Sequence, residues 1–196
     1  MQLSHVAAGT VAAAALSALS ALPRPAAAEP GATGLYAEAD LGATSFVGRK
    51  ARNAKVGPAA GAHLGYDLFR WFAVGAHLQA STHEANVPPP PDQEYFQLYS
   101  AHGEGRLNLQ FGRAELFASG GAGLSMISSN VLEKVGALDP GERFTISFAG
   151  GGGMEYHIQN RHYAFGLAGD YLLLPQFSAM STVSIQLYMR YSYGGG

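Results

Sequence analysis

Cysteine is absent from this 196-residue chain, which excludes a disulfide framework, thiol catalysis, a thiolate metal site and a lipid anchor on an N-terminal cysteine. Lysine is nearly absent: Lys50, Lys55 and Lys134 are the three. Charged residues make up 13%, with 12 basic side chains against 14 acidic ones. No basic face is available for nucleic acid, so no nucleic-acid partner is expected. Past residue 28 no stretch reaches the roughly 18 consecutive apolar residues of a membrane-spanning helix. What the chain does have is glycine, at 26 positions, and 11% aromatic residues. That mixture suits strands and turns better than long helices.

The first 28 residues read as a leader. Met1 to His5 precede an apolar run from Val6 to Leu22, rich in alanine and serine, and Ala26-Ala27-Ala28 is a small-residue cleavage site. At 17 residues the run is short for a spanning helix. The expected division is a signal peptide at 1–28, which implies export, and a single domain at 29–196. Cleavage would remove Arg24 and move the formal charge from −2 to −3.

That domain resolves into eight stretches of period two, near 34–46, 57–68, 71–82, 95–110, 113–127, 143–158, 162–174 and 181–193. Each separates into two faces, as strands do. In the first, Leu35, Ala37, Ala39 and Leu41 alternate with Tyr36, Glu38 and Asp40. In the fourth, His102, Glu104, Arg106 and Asn108 alternate with Gly103, Gly105, Leu107 and Leu109. Three connections are tight, around Phe69-Arg70, Gly112 and 159–161. Three are longer and polar, near 46–56, 83–94 and 128–142, and Pro175–Met180 is a shorter fourth. Short turns on one rim and long loops on the other describe an up-and-down barrel.

Which face meets water is decided by the lysines and the aromatics. All three lysines fall in long loops, whereas a soluble barrel would scatter them along its outward positions. Arg70, Arg113 and Arg161 flank the tight turns, leaving Arg106 and Arg190 in strand centres on the polar face. On the apolar face Tyr66, Phe72, Tyr156, Tyr163, Tyr191 and Tyr193 fall near one rim, and Tyr99, Phe144 and Tyr171 near the other. Two aromatic girdles are what a bilayer favours. The expected fold is an all-β, eight-stranded antiparallel up-and-down transmembrane β-barrel with a polar, side-chain-filled lumen.

In this architecture residues 34–193 resemble the small eight-stranded outer-membrane β-barrels of Gram-negative bacteria, the OmpA/OmpX-like family. The resemblance implies an outer-membrane location, reached through the signal peptide, and outer-membrane lipid and lipopolysaccharide as surroundings.

The lumen is expected to hold Glu38, Asp40, His63, His77, His102, Glu104, Arg106, Glu115, Glu155, His157, Asp170 and Arg190. Buried charges must be paired to be tolerated, so a mutually satisfied polar network is the first reading, with Arg190 closing onto Glu38 or Asp40. A turn centred on Arg70 places His63 directly opposite His77, and two imidazoles near carboxylates could bind zinc or copper. A lumen histidine is more often a hydrogen-bond partner, so neither metal nor cofactor is assigned. No set of nucleophile, base and orienting group stands out, so no catalytic residues and no enzyme activity are expected. His83-Glu84, beside Ser81 and Thr82, is read as a solvated loop. The glycine runs at 120–123 and 150–153 lie inside strands and lack the helix and G-K-[ST] of a phosphate loop.

Two further surfaces remain. Ala101, Gly103, Gly105, Ala118, Gly120, Ala122, Gly150 and Gly152 put a small-residue patch on the lipid face of three neighbouring strands. Small residues let another membrane segment pack closely, so this is a candidate docking face for a membrane protein partner. Arg49, Lys50, Arg52 and Lys55 make a basic loop facing lipopolysaccharide phosphates or an acidic partner. The expected function is structural or protein-interacting, as a component or docking partner of an envelope complex and without an open pore. The alternatives are an outer-membrane lipid-modifying enzyme and a periplasmic lipocalin-like ligand-binding barrel, the latter disfavoured by the lysines.

Overall fold

A computed structural model describes residues 33–48, 54–85, 94–128, 143–158, 162–177 and 180–193. The expected signal peptide at 1–28 lies outside them. Eight strands follow in chain order: β1 (Gly34–Val47), β2 (Gly57–Phe69), β3 (Phe72–Ala85), β4 (Glu94–Phe111), β5 (Ala114–Ile127), β6 (Phe144–His157), β7 (Tyr163–Leu173) and β8 (Ser181–Ser192). Each pairs antiparallel with its neighbour, and β1 pairs with β8, so the sheet is a closed barrel without an edge. Closure satisfies every ladder within the sheet, the condition for strands to cross a bilayer.

The period-two stretches set both boundaries and register. Gly112, at the β4–β5 turn, has a φ of 65°, which glycine adopts without steric cost. The turn at Arg70 brings His63 opposite His77, as the sequence spacing requires. Outward positions carry exposed Leu41, Leu64, Leu78, Leu124, Ile185 and Leu187. The expected aromatics ring the two rims, and exposed Phe69, Trp71 and Phe111 extend the short-turn girdle.

Two connections differ from expectation. β3 runs on to Ala85, with His83 paired to Phe96 and Ala85 to Glu94, so His83 is not in a solvated loop. It lies on the inward parity of Gln79 and Ser81 and is 1% exposed, its ring satisfied by Ser81 Oγ at 2.9 Å and the Lys55 carbonyl at 3.0 Å. The connection near Pro175 folds into the barrel mouth, where Leu174, Phe177 and Met180 are fully buried. They pack with Phe46, Phe96, Leu98, Ile127 and Leu172 as an apolar plug at the rim opposite the short turns. The lumen is therefore apolar at this level except for His83, whose ring packs on Phe46 and Phe96, and polar below it.

Under the plug the lumen side chains fall into tiers. First comes a hydroxyl belt, in which Thr44 bonds Ser184 at 2.7 Å and Ser125 donates to Ser147 at 2.9 Å. A histidine and carboxylate tier follows, and then an arginine tier near the short turns. Two tyrosines lie flat across glycines on a neighbouring strand: a Cβ at Gly65 would fall inside the Tyr36 ring, and one at Gly166 inside the Tyr188 ring. Gly166→Val should therefore cost about 1–3 kcal/mol by overpacking. Gly103→Val points into open space and should stay within about 0.5 kcal/mol of wild type. Urea unfolding in micelles, followed through the single tryptophan Trp71, measures both; equal effects would contradict the tyrosine lids.

Candidate functional site

The centre of the lumen is built around Arg106 of β4, which is 2% exposed. Its Nη1 donates to Glu38 Oε1 at 2.9 Å, its Nη2 to Glu155 Oε2 at 2.6 Å, and its Nε to Asn108 Oδ1 at 2.9 Å. The guanidinium also lies 3.7 Å from the Phe117 ring centroid. Glu115 pairs directly opposite Glu155 in register, and Arg106 Nη2 stands 3.7 Å from Glu115, so one cation offsets two facing acids. Tyr188 donates its hydroxyl to Glu155 at 2.8 Å. His157 Nε2 lies 3.1 Å from Glu155 Oε1.

Arg190 belongs to β8, on the opposite wall of the barrel from β4. The expectation that it closes onto β1 holds in register, since it pairs opposite Glu38, and its Nη1 is 3.6 Å from Glu38 Oε1. Its short contact is to Asp67 of β2, at 2.5 Å, and its guanidinium stacks 3.9 Å over the Tyr36 ring. Asp40 is not its partner. Asp67 was missed, although it shares the inward parity of His63 and keeps its register, pairing with Ala73.

The next tier holds the histidines. His63 Nδ1 lies 3.0 Å from Glu104 Oε1, and His102 shares a 2.9 Å hydrogen bond with Ser147 Oγ. The His77 ring lies against that of His63, with centroids 3.7 Å apart and planes tilted by 37°, and stands 3.7 Å from Asp40 Oδ2. Asp170 and Gln186 close the far side of a small cavity, about 20 Å³, that Asp40, His63 and Glu104 also line. All twelve expected lumen residues thus face inward, but Asp40, His77, His102 and Asp170 stand outside the arginine network.

The lipid face also matches the sequence reading in part. Gly103 and Gly150 have nothing within 4 Å of where a side chain would start, and Gly120 only a carbonyl at 3.9 Å. Gly105 is covered by the Phe72 ring at 3.3 Å, and the Phe117 carbonyl comes within 2.7 Å of a Cβ at Gly152. The open part of the patch is therefore smaller than the eight residues suggested. In the basic loop Arg49, Lys50 and Arg52 lie outside the described residues. Lys55 pairs with Glu84 at 2.7 Å.

Residues 11–192 match the family model described as outer membrane protein beta-barrel domain. The chain belongs to that family. The apolar face therefore meets lipid, and the barrel is a transmembrane one. Neisserial surface protein A aligns at 13% identity over 83% of this chain and 99% of its own, with a TM-score of 0.62. The outer membrane protein OprG of Pseudomonas aeruginosa aligns at 13% identity over 86% and 99%, with a TM-score of 0.54. At that identity the likeness is one of fold. No curated protein sequence matches the chain.

Arg106→Met would remove the cation that hydrogen-bonds Glu38 and Glu155, leaving only the longer contacts of Arg190, and should cost about 3 kcal/mol. Combining it with Glu38→Gln and Glu155→Gln should restore more than half of the loss, because the unpaired charges are what destabilise. Urea midpoints and the heat-dependent gel shift of the folded barrel report the effect. A fully stable single variant would remove the network from its central place.

Proposed function

We propose that this outer-membrane barrel is an exported structural and interaction protein, neither pore nor enzyme, that docks another membrane-embedded protein through its small-residue face. The reading is carried by the open surface at Gly103, Gly120 and Gly150 on three adjacent strands. Around it stand exposed Leu78, Leu107, Leu124 and Phe148. Lipid chains gain nothing from such a hollow, whereas a partner's backbone can approach closely there. The positive charge that the sequence concentrates at Arg49, Lys50 and Arg52 suits lipopolysaccharide phosphates.

The lumen supports a closed barrel. The apolar plug caps one end, and the arginine tier crosses the other. Against an enzyme, the serine–histidine hydrogen bonds among the described residues, Ser81 with His83 and Ser147 with His102, lie inside the barrel with every member at most 5% exposed. A lipid substrate outside the wall cannot reach them.

A photo-crosslinking side chain at Gly120 should capture a neighbouring protein in intact membranes, while the same probe at Leu187 should capture lipid alone. Replacing Gly103, Gly120 and Gly150 together with leucine should preserve folding and abolish the protein adduct. Unchanged adducts in the folded triple variant would overturn the docking face. Purified protein should leave phospholipid and lipopolysaccharide acyl chains intact; turnover that disappears in Ser81→Ala would make it an enzyme instead.

A further inference from the structure

We propose that Asp40, His63 and His77 form a binding site for one divalent transition ion of the zinc class inside the barrel. The three residues come from adjacent strands β1, β2 and β3, and one ligand atom of each lies within 4.8 Å of the other two. Asp40 Oδ2 and His77 Nε2 are already 3.7 Å apart, close to the roughly 3.3 Å that two ligands of a tetrahedral zinc subtend at bond lengths of about 2 Å.

Both carboxylate oxygens of Asp40 and Nε2 of His77 are buried without a hydrogen-bond partner, on residues that are 4% and 7% exposed. Buried atoms of Glu115, Glu155, His157 and Arg190 also lack partners, but Glu115 and Glu155 face an arginine, whereas Asp40 faces His77. A buried carboxylate without donors calls for a cation. The arginines do not supply one, since Arg106 is held by Glu38 and Glu155, and Arg190 by Asp67. The second cluster of similar spacing, Glu115, Glu155 and His157, is the contrast. There Arg106 already sits 2.6 Å from Glu155, and a metal ion would be repelled by it.

Supporting groups are in place as well. Glu104, 3.0 Å from His63 Nδ1, accepts the proton of that nitrogen and leaves the lone pair of the neutral ring on Nε2, the carboxylate–histidine arrangement that orients metal-binding imidazoles. The cavity of about 20 Å³ beside Asp40 and His63, which Arg106 also lines and His77 does not, has room for a water next to the ion site. Position 61 must be glycine for the carboxylate to lie where it does, because a Cβ there would stand 2.7 Å from both Asp40 oxygens. Two imidazoles and one carboxylate select zinc, copper or nickel over magnesium and calcium, which take oxygen ligands. Three protein ligands leave a coordination position open.

The test uses the protein purified without a polyhistidine tag in detergent micelles, stripped with a chelator and titrated with Zn2+. One ion per chain is expected. His77→Gln and Asp40→Asn should each weaken binding about tenfold or more, and His157→Gln should leave it unchanged. The heat-dependent gel shift verifies that each variant is folded. Co2+ in the wild-type protein should give the intense visible bands of four-coordinate cobalt, lost in folded His77→Gln, and the wild-type spectrum stands even if a variant fails to fold. The proposal is overturned by no stoichiometric Zn2+ uptake, by weak six-coordinate cobalt bands, by folded His77→Gln and Asp40→Asn variants that bind as wild type does, or by a loss confined to His157→Gln.

Discussion

The guanidinium of Arg106 is the group around which the interior is arranged. Its hydrogen bonds run to Glu38 on β1 and Glu155 on β6, and Glu155 in turn accepts from Tyr188 on β8, so one cation braces the barrel across its diameter. A planar guanidinium does this where an ammonium would not, because its forked donors reach two carboxylates at once and its face packs on an aromatic ring. With Arg190 stacked on Tyr36 and joined to Asp67, two cations fix the relative positions of strands that never touch through the backbone.

The bilayer explains why so much polarity lies inside so small a protein. Outward positions must be apolar, so side chains that bond one another are confined to the inward parity, and eight strands leave a space that they can fill. The stacking from apolar plug through hydroxyl belt and histidines to arginines follows from that confinement. Hydroxyl groups satisfy one another over short reach, whereas the long arginines need the carboxylates and rings of the opposite wall. Glycines under Tyr36 and Tyr188 give those rings the room to lie flat against the wall.

The fold was legible because period two is a local signal, and a membrane forces it to be kept on both faces. His63 opposite His77 followed from a single turn position. What escaped was non-local or lay outside the alternation. Leu174, Phe177 and Met180 occur three apart in a connection, a spacing that alternation does not detect, and their insertion depends on Phe46 and Phe96 from distant strands. His83 looked solvated because polar residues at a strand end resemble a loop; its partners, Ser81 and the Lys55 carbonyl, are visible only once β2 and β3 are paired. The lumen residues could be named from parity, but their pairing could not. Asp67 rather than Asp40 receives Arg190 because side-chain reach across the lumen, not register, chooses the partner. That choice leaves Asp40 facing the histidines.

The last strand finishes every tier. Thr182, Ser184, Gln186, Tyr188 and Arg190 all point inward from β8 and are at most 6% exposed. They meet residues far earlier in the chain: Thr44 and Ser184 are 140 positions apart, Asp67 and Arg190 are 123. An open seven-strand sheet would therefore hold Asp67 without its arginine and Thr44 without its hydroxyl partner, in an environment with little water to replace them. Core formation and ring closure are thus one event, so partially closed intermediates carry a high free energy and the transition is all-or-none. Contacts of such long sequence separation also make it slow. A chain whose interior is completed by its final strand has no stable half-built form in the membrane.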